Sequence, residues 1–157
     1  DDSASYAQSK DLQASSPEWV EFWAESASNP SGEMVKSFSG NNLDTTVKAS
    51  DYDGSYVYSV SLWTVNPGKD MEMIARFMEA KSILEAAGAR VELYQGGWGA
   101  VDEYHFVLMY DSWVDLESSF SKMGPGTAWS EYMEKSASLE VIGTRTAYFT
   151  GQTVQSN

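Results

Sequence analysis

The sequence predicts an α+β domain over residues 55–151, with elements in the order strand–helix–strand–strand–helix–strand. Three observations carry that prediction. Residues 56–65 and 103–110 alternate in character and are rich in Tyr, Val, Phe and Trp, as half-buried strands are. Residues 70–87 repeat large apolar side chains at helical spacing. Strong turn residues separate these runs: Asn66-Pro67-Gly68, Gly96-Gly97 and Gly124-Pro125-Gly126.

The elements follow in turn. Tyr56 to Val65 is the first strand and ends in the turn Asn66-Pro67-Gly68-Lys69. Asp70 to Ala87 is a helix with Met71, Ile74, Phe77, Met78 and Leu84 as its buried stripe. Gly88 follows where a left-handed C-cap is wanted. Arg90 to Gln95 is the second strand, and Gly96-Gly97-Trp98-Gly99 a hairpin turn or bulge. Glu103 to Tyr110 is the third strand. Asp111 or Ser112 caps the next helix, which turns Leu116, Phe120 and Met123 inward. Gly124-Pro125-Gly126 breaks it, and Trp129, Tyr132 and Met133 resume it. Leu139 to Thr150 is the last strand, and residues 152–157 form a polar tail.

Residues 1–54 form a helix–strand segment ahead of this domain. Asp1 to Gln13 reads as a frayed helix or tail. Ser16-Pro17-Glu18 starts a second helix: a capping hydroxyl, a proline at the first turn, and an acid at the positive end of the dipole. Trp19, Phe22 and Trp23 follow, and Asn29-Pro30-Ser31-Gly32 stops it. Glu33 to Ser39 reads as a strand and Gly40 to Gly54 as a long connection. Residues 18–28 align without gaps on residues 128–138, placing Trp19 on Trp129, Glu21 on Glu131, Phe22 on Tyr132, and Ser26-Ala27-Ser28 on Ser136-Ala137-Ser138. The segment therefore reads as the last helix and strand of an earlier copy of the domain, packed on the complete one. The first residue is Asp1 rather than Met, which predicts further sequence upstream.

Composition narrows the function classes. The 157 residues are 42% hydrophobic and 13% aromatic, which is globular rather than disordered. The formal charge is −13, from 23 acidic and 10 basic residues, and no basic cluster interrupts it. Such a surface repels nucleic acid and anionic lipid, so neither is an expected partner. With no cysteine and one histidine, disulfides, thiol nucleophiles and a His-rich metal centre are excluded by count. Asp51-Tyr52-Asp53-Gly54 is a fragment of a calcium loop and reads as a turn. The glycines at 96, 97 and 99 enter a hairpin and have no helix behind them to hold phosphate. No Gly-x-Ser-x-Gly elbow occurs. No metal and no cofactor is expected. Cysteine usage leaves both cytoplasm and secretion open.

Two β-α-β halves in this order make a ferredoxin-like arrangement, a four-stranded antiparallel sheet with its helices on one face. The strand ending in Val65-Asn66-Pro67-Gly68-Lys69 and running straight into a helix resembles the start of the antibiotic biosynthesis monooxygenase-like and NIPSNAP-like dimeric α/β-barrel families. The run from Tyr104 to Trp113, with a short helix, a break and a Trp/Tyr-bearing helix after it, is similar to their second half. The resemblance covers about residues 55–151. The helices cover one face of the sheet; the other, expected to carry Trp63, Val107 and Met109, is too apolar to be left in water, which predicts a homodimer, or a pseudo-dimer with an upstream repeat, through that open face. The resemblance also allows a cofactor-independent monooxygenase or isomerase acting on a hydrophobic, aromatic-type substrate.

Candidate site residues come from the aromatic and cationic side chains. Tyr58, Trp63, Tyr94, Trp98 and Tyr110 offer flat surfaces with polar tips, suited to an aromatic ligand. Arg145, Arg90 and Lys81 are cations able to meet an anionic ligand, or to spend themselves in salt bridges. His105 is the weak catalytic candidate. On its strand it shares a face with Val107 and Met109, while Tyr104, Phe106, Leu108 and Tyr110 point to the helices. The open face is expected to carry Trp63, Ser59 and Ser61 as well. One histidine and scattered carboxylates give no convergent acid–base set. The leading reading is a small-ligand-binding or interaction module, with the enzyme as the alternative.

Overall fold

The computed structural model describes residues 3–29, 39–97 and 100–153. The chain divides into two compact units, residues 1–37 with 48–51, and residues 38–47 with 52–157.

The first unit holds α1 (Ser3–Ser15) and α2 (Pro17–Ser28). Ser16 caps α2 by accepting the Trp19 backbone N–H, with Pro17 at the first helical position. Trp19, Phe22 and Trp23 pack ring against ring at centroid distances of 5.5–5.8 Å, and no residue of α2 is fully buried. The strand expected over Glu33 to Ser39 lies, up to Phe38, outside the described residues.

The second unit is α+β. Its strands are β1 (Gly40–Asn42), β2 (Val57–Val65), β3 (Arg90–Gly96), β4 (Glu103–Tyr110) and β5 (Gly143–Gln152). Its helices are α3 (Asp70–Ala87), α4 (Trp113–Ser121) and α5 (Ala128–Ala137). The sheet runs β1-β3-β4-β2-β5, and every pairing is antiparallel. Without β1 this is the expected ferredoxin-like order. The strand β1 is an addition that falls where a connection was expected. Its sequence, Gly-Asn-Asn, has no β preference of its own. It is a strand because it pairs with the edge of β3, and because Asn42 Nδ2 donates to the buried Glu92 carboxylate at 2.8 Å.

Helix α3 ends at Gly88 in the left-handed region, φ +110°. Its buried stripe is Met73, Phe77, Ala80 and Leu84. The sequence reading had Met71 and Met78 inside, but they are 77% and 48% exposed. Methionine occurs at three positions of this helix, so two stripes fit the pattern, and the small Ala80 decides for the one nearest the sheet. Ser112 caps α4 through the Asp115 N–H. Leu116 and Met123 pack against the core as expected, whereas Phe120 stays 39% exposed. The break over Gly124–Gly126 is present, and Thr127 opens α5 with a capping box. The last strand begins at Gly143, not Leu139. Before it, the carbonyls of Val141 and Ile142 accept bonds from the Asn66 side chain and N–H at 3.1 and 2.8 Å, which ties this stretch to the turn after β2.

Register settles which side chains meet the helices. Trp63 faces Tyr104, Ser61 faces Phe106 and Ser59 faces Leu108. Because Tyr104, Phe106, Leu108 and Tyr110 belong to the core, Ser59, Ser61 and Trp63 lie on the helix face. The expectation that these three share the other face with His105 is corrected. Strand β2 carries apolar residues on both parities, so its alternation alone leaves the sides undetermined.

Candidate functional site

The helix face of the sheet does not close completely on the helices. Between them lies a cleft of about 810 Å³, within the usual range for small-molecule sites. Its floor is Ser59, Ser61 and Trp63 of β2 with Phe106 and Leu108 of β4. Phe77, Ala80 and Leu84 of α3 form one wall. Phe120 on α4, Met123 after it, and Trp129, Tyr132 and Met133 on α5 form the roof. Thr144, Arg145 and Tyr148 of β5 form the rim. A smaller annex of about 240 Å³ shares Trp63, Phe77 and Tyr132 and adds Arg76 and Glu140.

Each feature has a local cause. Phe77 sits where α3 crosses the sheet and packs on Trp63, Tyr104 and Phe106 at 5.7, 6.2 and 5.3 Å. Trp129 and Tyr132, one turn apart on α5, stack at 5.4 Å. The Tyr132 hydroxyl donates to the Arg76 carbonyl at 3.2 Å, which fastens the roof to α3. Burial raises the Tyr132 phenol above its ordinary range and keeps it a donor. Gly143 lets β5 pass close beneath α3, since a Cβ there would lie 2.5 Å from the Met73 methyl and 2.7 Å from the Thr64 carbonyl.

The polar groups of the cleft are few. Ser59 donates to the Tyr148 hydroxyl at 2.9 Å. The Arg145 guanidinium lies 5.4 Å from the Tyr148 ring centroid, a cation–π contact. Among the described residues, no Asp, Glu or His lines the main cleft. The other two candidate cations are bonded within the protein. Lys81 donates to the Val91 carbonyl and pairs with Glu85 at 3.0 Å. Arg90 pairs with Glu92 at 2.8 Å.

The structure brings two of the candidate ligand-binding residues, Trp63 and Arg145, together in this cleft. Tyr110 is on the same sheet face but buried in the core, its hydroxyl 3.4 Å from Ser119 Oγ. Tyr58 and Tyr94 are on the opposite face. Tyr94 meets Tyr52 there at 2.7 Å between hydroxyl oxygens, and its phenol is raised by burial and that contact. His105 lies opposite Tyr94 in register, on the same face. Trp98 lies outside the described residues. Sequence reasoning missed the roof: Phe120 and Met123 read as the inner face of a helix, and Trp129, Tyr132 and Met133 only as its resumption after the break. It also missed Ser59 and Tyr148, whose pairing depends on the β2–β5 register. Among the described residues, no group of three or more His, Asp or Glu side chains is placed to hold a metal ion, and no helix is long and apolar enough to cross a membrane.

No protein-family model matches the chain, and no curated protein matches it. Solved structures resemble it in the arrangement of elements. One is an uncharacterised NIPSNAP domain protein from Burkholderia xenovorans, 13% identical, covering 64% of this chain and 94% of its own, at a TM-score of 0.49. Two others carry provisional names as antibiotic biosynthesis monooxygenases. The one from Chloroflexus aurantiacus is 16% identical, covering 65% and 96%, at 0.43. The one from Bordetella bronchiseptica is 13% identical, covering 66% and 99%, at 0.45. These are the two kinds of protein that residues 65–69 and 104–113 resemble.

Proposed function

We propose that the protein binds a small, flat, hydrophobic ligand in the cleft between the sheet and α3, α4 and α5. The observation that carries this reading is the cleft's composition: seven aromatic side chains among the described residues, and a few hydroxyls, around about 810 Å³. Apolar walls with few polar groups are the usual makeup of a small-molecule site. The alternative, a cofactor-independent oxygenation or isomerisation of such a ligand, needs a positioned proton acceptor. Among the described residues the cleft walls supply hydroxyls but no carboxylate or imidazole, and His105 belongs to the opposite sheet face. Binding is therefore the favoured reading. A thermal-shift screen of the full chain against quinones and polyphenols tests it. A ligand at about 100 times its Kd stabilises by about 2.7 kcal/mol. That shift should vanish in Ser61→Trp, which fills the floor. A screen with no shift, or a shift unchanged in Ser61→Trp, counts against the cleft.

The chain is also proposed to pair, as a homodimer or with an upstream repeat, through the sheet face away from the helices. That face turns Tyr58, Leu62, Ala147 and Phe149 outward, none of them fully buried, and Phe149 is 46% exposed. The edge strand β5 beside it contains no acidic residue in a chain of charge −13, so a second copy meets least repulsion there. The segment 1–54 is proposed to be the remnant of such a repeat. Its stacked pair Trp19–Phe22, at 5.7 Å and 24°, matches Trp129–Tyr132, at 5.4 Å and 29°. Sedimentation of the full chain and of a chain lacking residues 1–37 tests both proposals. A monomer in each case, with equal melting temperatures, overturns them.

A further inference from the structure

We infer that the ligand of the cleft is an aromatic monoanion whose charged group is held by Arg145. This rests on the reading of the cleft as a binding site and names the class of molecule it takes. Three observations converge. The chain carries 23 acidic residues, yet among the described residues none lines the main cleft, and Arg145 is the one charged side chain in its wall. At the rim of an apolar cleft, one fixed charge without a counter-charge selects a ligand of opposite sign, the more so as the bound ligand displaces water from it.

Arg145 is moreover unspent. Arg76, in the annex, is bonded to Glu72 at 2.6 Å. Arg145 has no carboxylate within ion-pair distance among the described residues, so its guanidinium donors remain for a planar anionic group such as a carboxylate.

The guanidinium is also positioned. It rests 5.4 Å from the Tyr148 ring centroid, and Ser59 fixes the hydroxyl of that ring at 2.9 Å. The chain Ser59–Tyr148–Arg145 thus runs from the floor to the rim and reduces the ordering cost of binding. Trp63 and Phe106 on the floor and Trp129 in the roof receive the ring system. A neutral or cationic molecule of the same shape leaves Arg145 unanswered.

The test uses two dyes of nearly the same aromatic body, anionic 1-anilinonaphthalene-8-sulfonate and neutral N-phenyl-1-naphthylamine, titrated by fluorescence against the full chain. Arg145→Gln should weaken the anionic dye by about tenfold or more, as expected for a lost charge-assisted contact. It should leave the neutral dye unchanged, and Arg145→Lys, which keeps the charge but not the planar fork, should weaken the anion less than Arg145→Gln does. Arg145 is exposed, so both variants should fold, as circular dichroism and melting temperature will check. If both dyes bind the parent and Arg145→Gln weakens neither, or weakens both equally, the anion inference is overturned and the cleft reading stands. If neither dye binds, or if binding survives Ser61→Trp, both are overturned.

Discussion

Tyr58 lies across the β2–β5 pair from Gly151, and a Cβ on Gly151 would come within 2.5 Å of the Tyr58 hydroxyl oxygen. The ring occupies the space a side chain would take, an aromatic residue covering a strand glycine. Gly143 at the other end of β5 is tighter in kind, because its Cβ would meet the Thr64 backbone carbonyl as well as Met73. Gly151→Ala should cost about 1–2 kcal/mol, since the Tyr58 ring can swing aside, and Gly143→Ala about 2–3 kcal/mol or more, since backbone must move. Urea denaturation of both variants checks the order. A Gly143→Ala protein as stable as the parent would show that β5 is not held against α3.

The two stripes on α3 are separable by mutation. Phe77 is 5% exposed and touches three other rings. Phe77→Ala should lose about 3–5 kcal/mol. Met71→Ala, at a position 77% exposed, should stay within about 0.5 kcal/mol. Equal losses would mean that the helix is rotated from the orientation described.

Stability at high pH should depend on Tyr104. Its side chain is fully buried and donates to Asp70 Oδ1 at 3.0 Å. Burial first, and the Asp70 contact second, push the phenol from 10.0 up to about 12. The folded state then keeps a proton that the unfolded chain gives up. The contribution is fully present below about pH 10 and is lost as pH rises to about 12, at no more than about 1.4 kcal/mol per pH unit for one group. Tyr104→Phe should cost about 1 kcal/mol at neutral pH through the lost hydrogen bond, and its stability should fall less steeply between pH 10 and 12. Denaturation midpoints across that window measure the slope, and a slope equal to the parent's rules the account out.

Local chemistry made the elements legible. Gly88, the Gly-Pro-Gly break and the Ser16 and Ser112 caps act within a few residues, so their outcome can be read from neighbours alone. Two features were harder. The side of Trp63 depends on its pairing with Tyr104, 41 residues further along the chain and decided only by register. The strand β1 has no internal signal, since Asn42 is placed by Glu92 and not by its own propensity. The cleft belongs to this second kind. Trp129 and Tyr132 look like core residues in sequence, and only the space left between α5 and the floor makes them walls. Arg145 was visible as a candidate cation beside Arg90 and Lys81, but which of the three lacked a carboxylate partner required the other two to be seen in their pairs.

The position of β5 has a consequence for how the molecule comes to exist. It is the last of the described strands, yet it pairs with β2, the first strand of the four-stranded order. Until β5 is made, β2 remains a bare edge, and Asn66 has no Ile142 carbonyl to bond. During synthesis the apolar β2 must therefore wait until three further strands' worth of chain, ending in β5, has been made. Such long-range closure slows folding and leaves one edge of β2, paired only with β4, open to neighbouring molecules in the interval.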